Sequence, residues 1–235
     1  MHQRLPLRIA LAALGVLLAG AAQAQSACAS DGQPRPVALL ERFLDADCGD
    51  CWRAAGSPRA GPRDAVLDWV LPGGRGEDAP LSAVASRDGL KRLSALGLAA
   101  PATASSHSRP VAPQGRLRVA HGLPVAGYIG ASVALQRPPA ADTAGPWTAW
   151  LVLVETVPAG TEGSPVPRNL VRNTVQRLWD GHSQLSKSER SRWLESRVLD
   201  IPPGTDTGRL SVVGWVEDAR GHVFAAAQSR CAPSR

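Results

Sequence analysis

The chain has 235 residues, 44% of them apolar and 20% charged, a composition too hydrophobic and too weakly charged for a disordered protein. Its formal net charge of +6 rests on arginine, since Lys91 and Lys187 are the two lysines, so the basicity argues little for a nucleic-acid surface and no nucleic-acid partner is expected. Beyond the N-terminal stretch no apolar run approaches the roughly 18 residues of a spanning helix, so no transmembrane segment is expected in the mature chain.

Arg4 and Arg8 precede an apolar core from Ile9 to Ala22, and Ala22-Gln23-Ala24 supplies the small residues of a cleavage site. Residues 1–24 therefore read as a secretory signal peptide, giving a mature chain from Gln25 and a periplasmic or secreted location. Gln25-Ser26-Ala27 lacks the leucine expected before a lipidated cysteine. Loss of Arg4 and Arg8 leaves 24 basic against 20 acidic residues, an ordinary +4. An oxidising compartment permits disulfides. Cys28 and Cys231 stand near the two ends of the mature chain and are expected to bond, closing a ring that the loop-entropy model values at about 5 kcal/mol. Four cysteines around one zinc ion would need two close pairs, and only Cys48 and Cys51 are close, so no metal and no cofactor are expected.

Val37 to Leu44 is a short apolar run ending at Asp45-Ala46-Asp47, as a buried strand running into a loop would. Ala65 to Leu71 is a second run, stopped by Pro72-Gly73-Gly74, and Ser86 to Leu98 carries leucines at mostly helical spacing with Ser86 and Asp88 as N-terminal caps. This order predicts a small α/β domain over residues 25–98. Residues 99–115, rich in Ala, Ser and Pro, read as a linker. Residues 116–235 read as a mainly β domain: strands over Tyr128–Gln136 and Trp147–Val157, then a hairpin of Arg209–Glu217 and His222–Gln228 around Asp218-Ala219-Arg220-Gly221. One crossover helix is expected between Pro167 and Gly181, its apolar stripe being Leu170, Val171, Thr174, Val175, Leu178 and Trp179 and its solvated face Arg168, Arg172 and Arg177. Together these elements give a β-sandwich.

The motif that carries chemistry is Asp47-Cys48-Gly49-Asp50-Cys51-Trp52. If a helix starts at Cys48, the first thiol sits at its N-terminus, where free N–H groups favour a thiolate, and the second lies one turn on. Cys48 would attack a client disulfide and Cys51 would resolve the mixed disulfide. Asp45, Asp47 and Asp50 oppose this: one carboxylate about 7 Å from the thiolate, at an effective dielectric of about 20, costs roughly 2 kcal/mol before screening. Gly56-Ser57-Pro58 stops the helix after about two turns. A permanent local disulfide bracing a loop, or a metal site, stays open on the motif alone.

The strand into Cys-x-x-Cys over Val37–Trp52, the Val66-Leu67-Asp68-Trp69 strand and the helix around Ser86–Leu96 resemble the exported family called domain of unknown function 1223. The later runs Leu151-Val152-Leu153-Val154-Glu155, Asn169-Leu170-Val171-Arg172-Asn173 and Val212-Val213-Gly214-Trp215-Val216 continue the likeness, which extends more loosely to outer membrane protein 28-related proteins. The resemblance implies a reduced thioredoxin-like N-terminal domain followed by a β-sandwich, with Cys48 and Cys51 as redox pair, Asp47 where tryptophan commonly stands, and Pro124 as candidate for the proline beside the pair. The expected function is thiol–disulfide exchange with a protein client, and the rival is a non-catalytic envelope binding module whose disulfides are both structural. Gly74-x-Gly76-x-x-Ala79 is set aside as a dinucleotide site because Glu77 and Asp78 repel a pyrophosphate, the histidines show no paired metal spacing, and the seven tryptophans are read as core.

Overall fold

The computed structural model describes residues 28–55, 59–112, 115–136, 146–179 and 192–231. The signal peptide, Gly56-Ser57-Pro58, Gly181 and His182 lie outside the described residues. Strand β2 (Ala38–Asp45) leads through helix α1 (Gly49–Arg53) to strand β3 (Asp64–Leu71), which pairs parallel to it from Ala38↔Asp64 to Asp45↔Leu71. Both strands are buried almost without interruption, as parallel strands covered on two faces must be, and this is why they read as mostly apolar runs. Helix α2 (Asp88–Ala95) follows, with Ser86 Oγ accepting from Asp88 N–H at 3.1 Å at its start. Residues 104–110, read as linker, instead form strand β4 (Ala104–Pro110), antiparallel to the outer side of β2. Its largely exposed Ser-rich sequence has no apolar alternation to betray it, which suits an edge strand.

The remaining strands are β1 (Cys28–Ala29), β5 (Arg116–His121), β6 (Tyr128–Gln136), β7 (Trp147–Val157), β8 (Arg168–Trp179), β9 (Arg192–Asp200), β10 (Leu210–Asp218), β11 (Val223–Gln228) and β12 (Arg230–Cys231). They complete two sheets, ordered β12-β1-β5-β6-β9 and β11-β10-β7-β8-β3-β2-β4. Strands from residues 25–98 and from 116–235 thus share one seven-stranded sheet, joined where Asp68 of β3 meets Leu170 of β8 in parallel. Among the described residues no helix is long and apolar enough to cross a membrane.

The expected crossover helix is strand β8, antiparallel to β7. The register jumps from Leu153↔Asn173 to Val154↔Val171, so Arg172 is a bulge that inverts which side chains face which side of the sheet. Val171 therefore packs in the core beneath α2, while Val175 and Trp179 pack in the core between the sheets. Apolar residues four apart, Val171, Val175 and Trp179, fit a helical stripe as well as a strand, so the spacing alone does not separate the two. Arg168 and Arg172, expected on a solvated face, are buried.

All seven tryptophans are buried. The core between the sheets joins Val119, Val133 and Leu199 to Leu151, Val212 and Val216. Gly214 lies at the closest approach of the sheets: a Cβ there would stand 2.6 Å from Val119 Cγ1. Under α2, fully buried Arg92 holds Glu41 at 2.7 and 3.0 Å and Glu217 at 2.7 and 3.0 Å. Arg109 of β4 closes the ring, at 2.9 Å from Glu41 and 2.7 Å from Glu217. Trp150 and Trp215 donate indole N–H groups to Glu217 and stack 9° from parallel beside Arg92. With each charge paired, this ring fixes β2, β4, α2 and β10 to one another.

Candidate functional site

Beyond β2 the chain turns sharply: Cys48 N–H donates to Asp45 carbonyl at 3.0 Å, and α1 begins with Cys48 as its cap, Sγ accepting from Cys51 N–H at 3.2 Å. Cys48 and Cys51 are disulfide-bonded, with Cα atoms 5.3 Å apart, and both are half-buried. The Asp side chains feared as neighbours of the thiolate are engaged elsewhere. Asp45 Oδ1 accepts from Asp47 N–H at 2.8 Å, and Asp47 accepts from Arg75 N–H at 3.2 and 3.3 Å. Gly73 makes this possible, because a Cβ there would fall 2.3 Å from Asp47 Oδ1. Asp50 points to solvent and pairs with Arg53 at 2.7 Å.

Two residues hold α1 against the rest of the fold. The Trp52 ring packs with Ala46, Val70, Ala79, Val157 and Leu170, and its N–H donates to Glu162 carbonyl at 2.7 Å, in the connection between β7 and β8. Arg168, at the start of β8 and 1% exposed, directs Nη2 at the carbonyls of Cys51, Trp52 and Ala54 at 3.2, 2.9 and 2.9 Å. These are carbonyls that a short helix leaves without intrahelical donors. The guanidinium also lies 5.2 Å from the Trp52 ring and 3.4 Å from Asp68. Burial lowers its pKa, with Asp68 opposing the shift and Arg42 adding to it. Asp68, fully buried, accepts from Arg42 Nη2 at 2.8 Å and from Asn169 N–H at 2.7 Å, while Arg42 Nε stands 2.8 Å from its other oxygen.

A cleft of about 490 Å³ opens beside this assembly, lined among others by Cys51, Arg42, Arg168, Ser105 and Ser106. One member of the pair therefore borders a recess whose two arginines are paired with buried Asp68 and whose side is formed by the serines of β4. The signals for Arg42 and Asp68 were present in the sequence. A charge inside an apolar run that is buried on both faces must find a partner, and Arg42 and Asp68 occupy such positions in β2 and β3.

Pro124 lies elsewhere, in the connection between β5 and β6 of the five-stranded sheet. In the sheet that carries the Cys pair, the proline that leads toward β4 is Pro101, two residues before Thr103, whose carbonyl accepts from Asp45 N–H at 2.8 Å. Cys28 and Cys231 form the second disulfide, facing each other across β1 and β12, and His121 of β5 stands opposite Cys28 on its other side.

No protein-family model matches this chain, and no curated protein matches its sequence. Among solved structures, HBP35 of Porphyromonas gingivalis is similar over 83% of this chain and 74% of its own, with 12% identity and a TM-score of 0.49. A domain of the outer membrane lipoprotein Omp28 from the same organism is similar over 54% of this chain and 94% of its own, with 13% identity and a TM-score of 0.33.

Proposed function

We propose that the chain carries out thiol–disulfide exchange with a protein client through Cys48 and Cys51, in an oxidising exported compartment. The observation that carries this reading is a half-buried disulfide at the start of α1, with Cys51 bordering an open cleft. The β2–α1–β3 order with β4 antiparallel outside β2 supports a thioredoxin-like reading of residues 25–98. In the oxidising direction a client thiolate attacks one sulfur of the pair, breaking its S–S bond and forming a mixed disulfide. A second client thiolate then displaces the chain, and two electrons and two protons pass to Cys48 and Cys51. In the reducing direction Cys48 attacks the client disulfide and Cys51 resolves the product. The direction follows relative reduction potentials.

The latch formed by Trp52 and Arg168 favours a second reading, in which the disulfide only braces the turn and the chain is a non-catalytic envelope binding module. Trapping separates the two. Expressed with its natural leader, Cys51→Ser is expected to capture client proteins as mixed disulfides through Cys48, which Cys48→Ser does not. A potential for the pair well below about −300 mV, with no exchange with glutathione and no captured client, establishes the bracing role instead.

A further inference from the structure

We propose that Cys28, Cys231 and His121 form a redox-gated zinc site, closed while the disulfide is intact and created when a dithiol reductant opens it. The three residues occupy one row across adjacent antiparallel strands, Cys231 on β12, Cys28 on β1 and His121 on β5, in the pairings Cys28↔Cys231 and Cys28↔His121. Side chains directly opposite on neighbouring strands project from the same face of a sheet. One ligand atom from each already lies within 4.8 Å of the others. Bonds of about 2.0–2.3 Å at the tetrahedral angle space ligand atoms roughly 3.5 Å apart, so once the sulfurs part on reduction the three groups need only small shifts to surround one ion.

His121 gives the independent indication. The residue is 4% exposed, and Nδ1 lies 2.9 Å from Gly122 carbonyl, which makes Nδ1 the protonated nitrogen and leaves the lone pair on Nε2. Nε2 is buried with no hydrogen-bond partner. A ring nitrogen that donates to a backbone carbonyl while the other stands open is the arrangement that orients a metal-ligating histidine. Two thiolates and an imidazole fill three positions around zinc, and water takes the fourth.

The chemistry balances. A dithiol reductant transfers two electrons and two protons to the Cys28–Cys231 bond, giving two thiols and its own disulfide. Zinc then displaces the two thiol protons, with no change in its oxidation state. Sequence spacing conceals this site because its ligands are brought together by strand pairing across 203 residues.

The test uses the mature chain carrying Cys48→Ser and Cys51→Ser, so that the other pair cannot compete. Reduced by a phosphine, it is expected to bind one zinc ion per chain against a chromophoric chelator, and cobalt in its place should give thiolate charge-transfer bands with a tetrahedral d–d spectrum. The oxidised chain binds neither ion. His121→Ala, and independently His121→Asn in case the smaller residue loosens the sheet, should weaken zinc by at least the ~100-fold that loss of even a supporting partner can cost. Cys28→Ser should do the same. The proposal is overturned if the reduced chain binds no stoichiometric zinc, if both His121 variants bind as tightly as the parent, or if reduction unfolds the chain and zinc does not restore its far-UV dichroism. These outcomes are separate from client trapping, which depends on the other pair.

Discussion

Arg168→Ala isolates the contribution of one buried side chain to the Cys48–Cys51 site. The substitution removes donors from three carbonyls at the end of α1, an ion contact with Asp68 and a cation–π contact with Trp52. One nitrogen serves all three carbonyls, so their losses do not add. Counted as two hydrogen bonds from a charged donor, they contribute about 3–4 kcal/mol, with about 1 kcal/mol more from the ring contact. Asp68 keeps Arg42 and Asn169 as partners, which spares the larger cost of an orphaned buried carboxylate. The expected loss is therefore about 4–5 kcal/mol, read from urea midpoints at unchanged m-value. With its last turn freed, α1 should hold the two thiols less closely. The effective concentration of one for the other then falls about tenfold, which raises the reduction potential by about 30 mV in a glutathione equilibrium. Arg168→Lys, which keeps the charge but loses the planar fork, should fall between. A loss below about 1 kcal/mol together with an unchanged potential would refute the latch.

Glu217 predicts the acid limb of stability. Burial pushes its carboxyl up, but the Arg92 hydrogen bond and the charges of Arg92 and Arg109 outweigh this and hold it below its ordinary 4.5. The unfolded chain thus binds this proton more tightly. Its contribution is present above about pH 4.5 and is lost as pH falls through the lower folded value, so Glu217→Gln should flatten that part of a urea-midpoint titration. Gly214→Ala places a methyl group 2.6 Å from Val119 Cγ1 and should cost about 1–3 kcal/mol in thermal or urea unfolding. Replacing Cys28 and Cys231 together by Ser should cost up to about 5 kcal/mol, with Cys48→Ser/Cys51→Ser as the comparison because its ring closes only a few residues. Equal losses from the two double variants would contradict the loop-entropy account.

The parts of the fold legible in sequence are those whose pattern is set locally. The β10–β11 hairpin follows from Asp218 to Gly221, where Gly221 N–H donates to Asp218 carbonyl at 3.0 Å. The β2 and β3 strands follow from short, mostly apolar runs, and α2 from its leucines and the Ser86 start. Strand β8 was hidden because its apolar residues four apart fit a helix as well as a strand, and β4 because an edge strand needs no apolar side chains. At the site, the Cys pair and Trp52 were visible in one hexapeptide, whereas Arg168 acts on it from 114 to 117 residues away. No spacing rule spans that distance. The same holds for His121, paired by sheet register with a cysteine that spacing places nowhere near it.

The bond between Cys28 and Cys231 has a further consequence for how this protein meets proteases. The exposed turn at Arg220 lies inside the span that the bond encloses, so a single nick there yields two pieces still held in one molecule. Cleavage would pass unseen on a non-reducing gel and emerge as two bands once thiol is added. The nicked form would also keep the β10–β11 strands paired, so damage at the surface need not become loss of the fold.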